Sequence, residues 1–311
     1  MKALTVLSPG LLTTVQDLGR EGLGTMGVSA SGAADALALR IGNKLLGNPE
    51  SAAGLEMTLL GGSFQFSHEV WVTATGSDFA ATVDTQYTAP YTVFRVRAGQ
   101  TLQFGATKTG ARAYLCIRGG IDVPPVLGSR STHLLSGLGG LEGRALRKGD
   151  ILPIGDDARC GASHVGAMFG SDKTHGYGKP RRLRVTRGPQ WESFPQLSRI
   201  DFLEQSFVVT EEANRMGIRL RGTQHELAST GEMITEGVSL GAIQITPSGQ
   251  PIILFVEQQT TGGYPKIANV IAADLWQVGQ VRPRDEIRFE LVSTEEAQHY
   301  FIEQERMLGS R

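Results

Sequence analysis

The sequence predicts a mainly β protein whose short strands close into barrel-like sheets, with only a few helices at the periphery. Two observations carry this reading. The chain of 311 residues contains 40 glycines, about twice the usual share of roughly 7%. They are scattered at short intervals, as turns between many short strands require. The second is a turn-then-strand phrase that occurs three times: Arg97-Ala-Gly-Gln-Thr-Leu-Gln-Phe104, Arg147-Lys-Gly-Asp-Ile-Leu-Pro-Ile154 and Arg282-Pro-Arg-Asp-Glu-Ile-Arg-Phe289. In each, a polar turn precedes apolar residues two apart, and a period of two places those side chains on one face of a strand. Closure into a barrel removes the sheet edges that so many strands would otherwise expose.

Further strands are expected at Ser63–Phe66, Glu69–Thr75, Tyr91–Val96, Ala113–Ile117, Arg182–Thr186, Phe207–Thr210, Ala242–Ile245 and Pro251–Val256, and in the start and end segments. Ser31 is placed to cap a helix over about Ala33–Leu46, with Leu37, Ile41 and Leu45 at every fourth position and Gly47 as its stop. Pro195 can start a short helix near Gln196–Glu204. Ser293 and Glu296 form a capping box for a last helix, expected to turn Ala297, Tyr300, Phe301 and Leu308 inward. The polar, glycine-rich stretch 161–180 reads as a linker between an N-terminal β subdomain (1–160) and a C-terminal one (181–311).

Composition narrows the function classes. With 30 basic and 31 acidic residues the formal charge is −1, so nothing favours nucleic acid or an anionic membrane surface. Met1–Gly10 lacks the apolar core of a signal peptide, and runs such as Ile252–Val256 are too short to span a bilayer. Two cysteines, Cys116 and Cys160, fit a reducing compartment, and the expectation is a cytoplasmic protein. The histidines show no metal-ligand spacing, so no metal is expected. No GxSxG elbow, phosphate loop or dinucleotide fingerprint is present. Glu56-Met57-Thr58 has threonine where a biotin carrier would need lysine, so biotin, if used, comes from elsewhere.

Three groups of residues have chemistry to offer. Gln259–Lys266 combines the Thr260 and Thr261 hydroxyls, the backbone of Gly262 and Gly263, the Tyr264 phenol and the Lys266 cation. Such a loop can hold an oxyanion or phosphate; read plainly, it is a tight turn whose exit Pro265 fixes. Gln16, Asp17 and Arg20 can bind an anionic substrate or form a structural salt bridge. Asn214, Arg215 and Arg219 suggest an anion site, or else arginines paired with Glu211 and Glu212. Lys266 and Asp274 could form an acid–base pair, though no spacing brings them together.

Four longer phrases go further. They are Gly10-Leu-Leu-Thr-Thr-Val-Gln-Asp-Leu-Gly-Arg20 with Ser31-Gly-Ala-Ala-Asp35; Arg118-Gly-Gly-Ile-Asp-Val-Pro124 running to Gly139-Gly-Leu-Glu-Gly-Arg144; Asn214-Arg-Met-Gly-Ile-Arg-Leu220; and Gly249-Gln-Pro-Ile-Ile-Leu254 leading into Gln259-Thr-Thr-Gly-Gly-Tyr-Pro-Lys-Ile-Ala268. In this order, over essentially the whole chain, they resemble the biotin-dependent carboxyltransferase-related family. That family includes the C subunit of 5-oxoprolinase, the carboxyltransferase region of urea carboxylase and antagonists of a sporulation-kinase inhibitor. Two positions depart from its pattern: Pro283-Arg-Asp285 where Pro-Gly-Asp is expected, and Glu257-Gln258 where an aspartate is more usual.

The resemblance implies cyclophilin-like barrel subdomains and, as partners, the B and A subunits of 5-oxoprolinase. It implies an ATP-dependent complex that opens 5-oxoproline to L-glutamate; since this chain has no phosphate loop, another subunit is a candidate to bind the ATP. The alternatives it leaves are a biotin-dependent carboxyltransferase half and a non-catalytic antagonist of a kinase inhibitor. The catalytic residues it implies are Thr260, Thr261, Tyr264 and Lys266. The substrate contacts are Gln16, Asp17, Arg20, Asn214, Arg215, Gln259, Gly262 and Gly263.

Overall fold

The computed structural model describes residues 2–160, 181–222 and 233–309; the expected linker at 161–180, with His164 and His175, and also His225, lie outside the described residues. The chain divides into two compact units. One is built from Met1–Arg20 and Ser31–Tyr177, the other from Glu21–Ala30 and Gly178–Arg311. The fold is mainly β, with four α-helices among the described residues.

The first unit holds eleven strands: β1 (Ala3–Ser8), β2 (Leu12–Gln16), β3 (Gly54–Thr58), β4 (Ser63–Phe66), β5 (Val70–Gly76), β6 (Thr82–Val83), β7 (Gln86–Tyr87), β8 (Val93–Val96), β9 (Thr101–Gln103), β10 (Arg112–Ile117) and β11 (Ile151–Pro153). They form two sheets, in the orders β11-β1-β4-β9-β6-β7 and β2-β3-β10-β5-β8. Alternating residues such as Leu4, Val6, Phe64 and Leu102 from the first sheet meet Val15, Leu55, Val72 and Leu115 from the second in one apolar core.

Helix α1 (Ala36–Leu45) packs by β5 and β10, where Thr75 Oγ1 donates to the Ala38 carbonyl at 2.8 Å. A Cβ on Gly42 would come within 2.5 Å of Cys116 Sγ, so only glycine permits this approach. Its cap corrects the expectation of Ser31: Asp35 Oδ1 accepts from the Ala38 N–H at 2.9 Å, and the helix starts at Ala36. Ser31 lies in the left-handed region at φ 57° and donates instead to the Thr132 carbonyl. Gly47, at φ 70°, follows the helix end as expected.

The second unit contains β12 (Arg181–Arg187), β13 (Phe207–Val209), β14 (Gly217–Gly222), β15 (Glu236–Gly237), β16 (Ala242–Ile245), β17 (Pro251–Leu254), β18 (Thr261–Gly262), β19 (Lys266–Val270) and β20 (Glu286–Leu291). Seven of them close a barrel in the order β12-β19-β16-β17-β14-β13-β20, and β15 and β18 form a separate ribbon. Helix α2 (Gln196–Glu204), preceded by Pro195, sets Phe202 on Phe289 of β20 with ring centroids 4.5 Å apart. Truncating Phe202, which is fully buried, would cost about 3–5 kcal/mol.

A four-residue helix, α3 (Leu275–Val278), was not anticipated. Helix α4 (Thr294–Gly309) begins with the predicted capping box: the Ser293 N–H donates to Glu296 Oε2 at 2.7 Å and the Glu296 N–H to Ser293 Oγ at 3.1 Å. Leu308 is buried, but Phe301 is 43% exposed and does not turn inward. Tyr300, also expected inward, does pack, lying under the Arg184 guanidinium at 3.8 Å.

The three repeated phrases share one turn. The N–H of Gln100, Asp150 and Asp285 donates to the carbonyl of Arg97, Arg147 and Arg282. The side chain of the same residue accepts from the arginine's own N–H at 2.7 to 2.9 Å. The third position is left-handed each time: Gly99 at φ 81°, Gly149 at 91° and Arg284 at 73°. The apolar pair that follows is buried in all three.

Candidate functional site

Lys266 opens β19, and its side chain is 4% exposed. Strand register sets it opposite Gln244. Gln244 alternates with the fully buried Ile243 and Ile245, so it leaves the other face of β16. The Lys266 ammonium meets Glu236 Oε1 at 2.5 Å, with the Tyr264 carbonyl at 3.5 Å. Gln190 binds both partners of this pair: its Nε2 donates to Glu236 at 3.0 Å, and its Oε1 accepts from the Lys266 N–H at 3.0 Å. The Lys266 hydrogen bond, then that from Gln190, holds the Glu236 carboxyl below the usual glutamate range. The result is a lysine charge fixed in position beneath a loop.

That loop is the predicted Gln259–Lys266 segment. It folds as a ribbon, with Thr261 paired to Gly237 and Gly262 to Glu236. The Val238 N–H donates to the Thr260 carbonyl and the Met233 N–H to that of Gly263. Gln244 Nε2 donates to the Tyr264 carbonyl at 3.3 Å. Gly262 lies close under two amides: a Cβ there would lie 2.6 Å from Gln244 Nε2 and 2.8 Å from Gln259 Nε2, so any larger residue would push these side chains aside. Thr261 and Gln259 are exposed and Thr260 and Tyr264 half-buried.

At the other end of the same connection, Arg215 Nε meets Glu257 Oε1 at 2.5 Å, and both residues are buried. The Glu257 N–H also donates to the Arg215 carbonyl. Burying two charges is offset only when the geometry is good and further hydrogen bonds are made. Asn214 is exposed, and its Oδ1 accepts from the Met216 and Gly217 N–H groups. It shapes the turn that brings Arg215 in. Arg219 is exposed beside Glu212.

In the first unit, Asp17 is a hub. Its Oδ1 accepts from Ser129 Oγ, Ser131 Oγ and the Gly19 N–H, and its Oδ2 from the Arg130 N–H, all between 2.5 and 2.8 Å. Arg20 Nη2 donates to the Ser131 carbonyl at 2.6 Å, and Gln16 Nε2 to that of Thr132 at 3.0 Å. These three predicted residues therefore pin the 129–132 segment, through hydrogen bonds to its backbone and serine hydroxyls. Asp274 is fully buried and takes Arg184, through Nε, Nη2 and its backbone N–H; Lys266 has Glu236 instead.

Sequence reasoning missed Glu236, Gln190 and Gln244. Each lies far along the chain from Lys266 and meets it only in the folded chain, Gln244 through barrel register, Glu236 from the β15–β18 ribbon and Gln190 from the turn after β12, and no local motif marks them. Glu257 was noticed only as a departure, and its partnership with Arg215 was not.

A mainly β chain with a seven-stranded barrel and a buried lysine beneath a Gln-Thr-Thr-Gly-Gly loop can now be placed in its class. Residues 26–291 match the model of the carboxyltransferase domain, subdomain A and B, and the chain belongs to that family. It is 39% identical over 299 residues to the C subunit of 5-oxoprolinase from Escherichia coli K12, covering 94% of this chain and 93% of that protein. It is 40% identical over 290 residues to the same subunit from Haemophilus influenzae. The urea amidolyase of Saccharomyces cerevisiae is 35% identical over 94% of this chain, which matches 17% of that longer protein. The solved Kluyveromyces lactis urea carboxylase superposes on 99% of this chain and 29% of its own, with a TM-score of 0.88 and 31% identity.

Proposed function

We propose that this chain is the C subunit of a 5-oxoprolinase, acting with the B and A subunits to hydrolyse 5-oxoproline to L-glutamate in the cytoplasm at the expense of ATP. The observation that carries the reading is the end-to-end match to the E. coli and H. influenzae proteins, each covered over about nine-tenths of its length.

The substrate is an unstrained lactam with a poor leaving group. Transfer of a phosphoryl group from ATP to the lactam oxygen makes the ring carbon electrophilic. Water then adds to that carbon and the carbon–nitrogen bond breaks as the nitrogen takes a proton, which leaves an acyl phosphate; a second water hydrolyses it to the carboxylate and free phosphate. ATP is assigned to a partner, because this sequence contains no phosphate loop.

The residues of this chain serve the charge that builds on oxygen. Lys266, fixed by Glu236 and Gln190, offers a preorganised cation, and the Thr260 and Thr261 hydroxyls and the Tyr264 phenol of the adjoining loop are assigned as further donors. Gln259, Gly262 and Gly263 shape the loop, and Arg215, turned in by Asn214, is the counter-charge for the substrate carboxylate. Gln16, Asp17 and Arg20 position the 129–132 segment.

The test mixes the purified chain with the A and B subunits and follows glutamate release from 5-oxoproline with and without ATP, then omits this chain. ATP-dependent release that disappears on omission supports the proposal. An intact complex that releases none refutes it. In that event the similarity to urea amidolyase directs the next assay to carboxyl transfer from free biotin.

A further inference from the structure

The first unit carries a cleft of about 300 Å³ that none of the roles above uses. One wall is backbone and small side chains: Ala52, Ala53, Gly119, Gly120 and Gly155. Gly119 and Gly155 touch so closely that a Cβ on either would lie 2.3 Å from the other's carbonyl oxygen, which keeps side chains out of the space.

The charged lining is one guanidinium, Arg130, and two carboxylates, Asp122 and Asp156. Arg130 Nη2 meets Asp122 Oδ1 at 2.8 Å. The backbone N–H of Arg130 is anchored on Asp17, so the root of this side chain is held by the same hub that orders residues 129–132. Its Nε is buried and has no hydrogen-bond partner among the described residues, a state that calls for an acceptor. Asp156 Oδ1 caps a short turn through the Ala158 N–H at 3.0 Å. Asp156 Oδ2 and Asp122 Oδ2 have no partner among the described residues.

We propose that this cleft binds a small free α-amino acid as its zwitterion, with Arg130 taking the carboxylate and Asp122 and Asp156 the ammonium. A guanidinium matches a carboxylate by its fork of donors. Two acceptors beside it reject a ligand that carries negative charge alone, so the charge pattern selects zwitterions over dicarboxylates. The volume lies at the small end of ligand cavities. The inference does not rest on the lactam reaction, since a chain without that activity can carry the site.

Cys160 lines the cleft and serves as a built-in reporter. The only other thiol, Cys116, is fully buried. The test follows native labelling of Cys160 in the full chain by a thiol reagent, with L-alanine as the probe and propionate and 5-oxoproline as controls. Equilibrium dialysis of labelled alanine runs in parallel. At ten times the Kd, mass action leaves about one-tenth of the sites open and slows labelling about tenfold. Protection and dialysis binding by alanine, weak effects of both controls, and loss of binding in folded R130Q and in D156N establish the site. Equal protection by propionate, no binding by either method, or undiminished binding in D156N overturns it.

Discussion

Replacing Asp17 by alanine separates the two uses that a buried carboxylate can have. In the structure Asp17 accepts four hydrogen bonds, from Ser129 Oγ, Ser131 Oγ, and the N–H groups of Gly19 and Arg130. Bonds to a charged acceptor are worth about 1.5–3 kcal/mol each. The donors partly re-pair with one another and with water once the carboxylate is gone, so a simple sum overstates the loss. The expected net destabilisation is about 3–5 kcal/mol, the range of a broken buried network. For a unit of this size that lowers Tm by about 10 °C. Asp17→Asn, which keeps the shape but turns one acceptor into a donor facing donors, falls between wild type and alanine. Differential scanning calorimetry gives the shift. Glutamate release by the reconstituted complex, measured well below the variant's Tm, reports whether folded protein still works. An unchanged Tm together with lost activity would refute the structural role and return Asp17 to the substrate.

Other expectations follow from the same geometry. Lys266→Ala removes the fixed cation and is expected to lower kcat of the complex by about 10²–10³-fold, while unfolding shows a native chain; activity within about twofold of wild type would exclude that role. Glu236 has its pKa held below the usual 4.5, first by the Lys266 hydrogen bond. Its contribution to stability is therefore full above that value and lost as pH falls through the lower folded value. Glu236→Gln should accordingly lose stability at neutral pH and show a flatter acid-denaturation limb below 4.5, read by circular dichroism. Arg284 occupies a left-handed position at φ 73°, so Arg284→Gly should raise stability by about 1 kcal/mol in urea unfolding. The Cys116 thiol is pushed up to about 12 by burial, so native labelling at neutral pH should reach Cys160 alone, and both thiols after unfolding.

The legible parts of the fold were those specified by neighbours in the chain. The capping box at Ser293 and Glu296, the helix after Pro195, and the strand at Ala242–Ile245 all depend on residues within a few positions. So do the three turns, where a left-handed residue followed by Gln or Asp closes on the arginine before it. Ser31 misled because Asp35, four residues on, is an equally good cap, and the choice was made by distant groups: Ser31 is held by Thr132, and the Asp35 N–H by the Tyr114 hydroxyl. Phe301 misled because helical spacing shows which residues share a face, not which face meets the barrel. At the candidate site, the loop and Lys266 were visible as a string of reactive groups. Their organiser, Glu236, lies thirty residues earlier, and nothing in its flanking sequence marks it.

The barrel of the second unit is closed where β12 pairs with β20, in parallel register from Arg181 with Ile287 to Val185 with Leu291. Its first strand thus waits for its last. On a ribosome, the strands before β20 are made with the seam still open, exposing two unpaired edges and an incomplete core until the final strand emerges. Such long-range pairing is slow and aggregation-exposed. A chain cut before Glu286 would keep those edges permanently, so lesions in this gene that remove only its last short stretch would yield inclusion bodies rather than a smaller working protein.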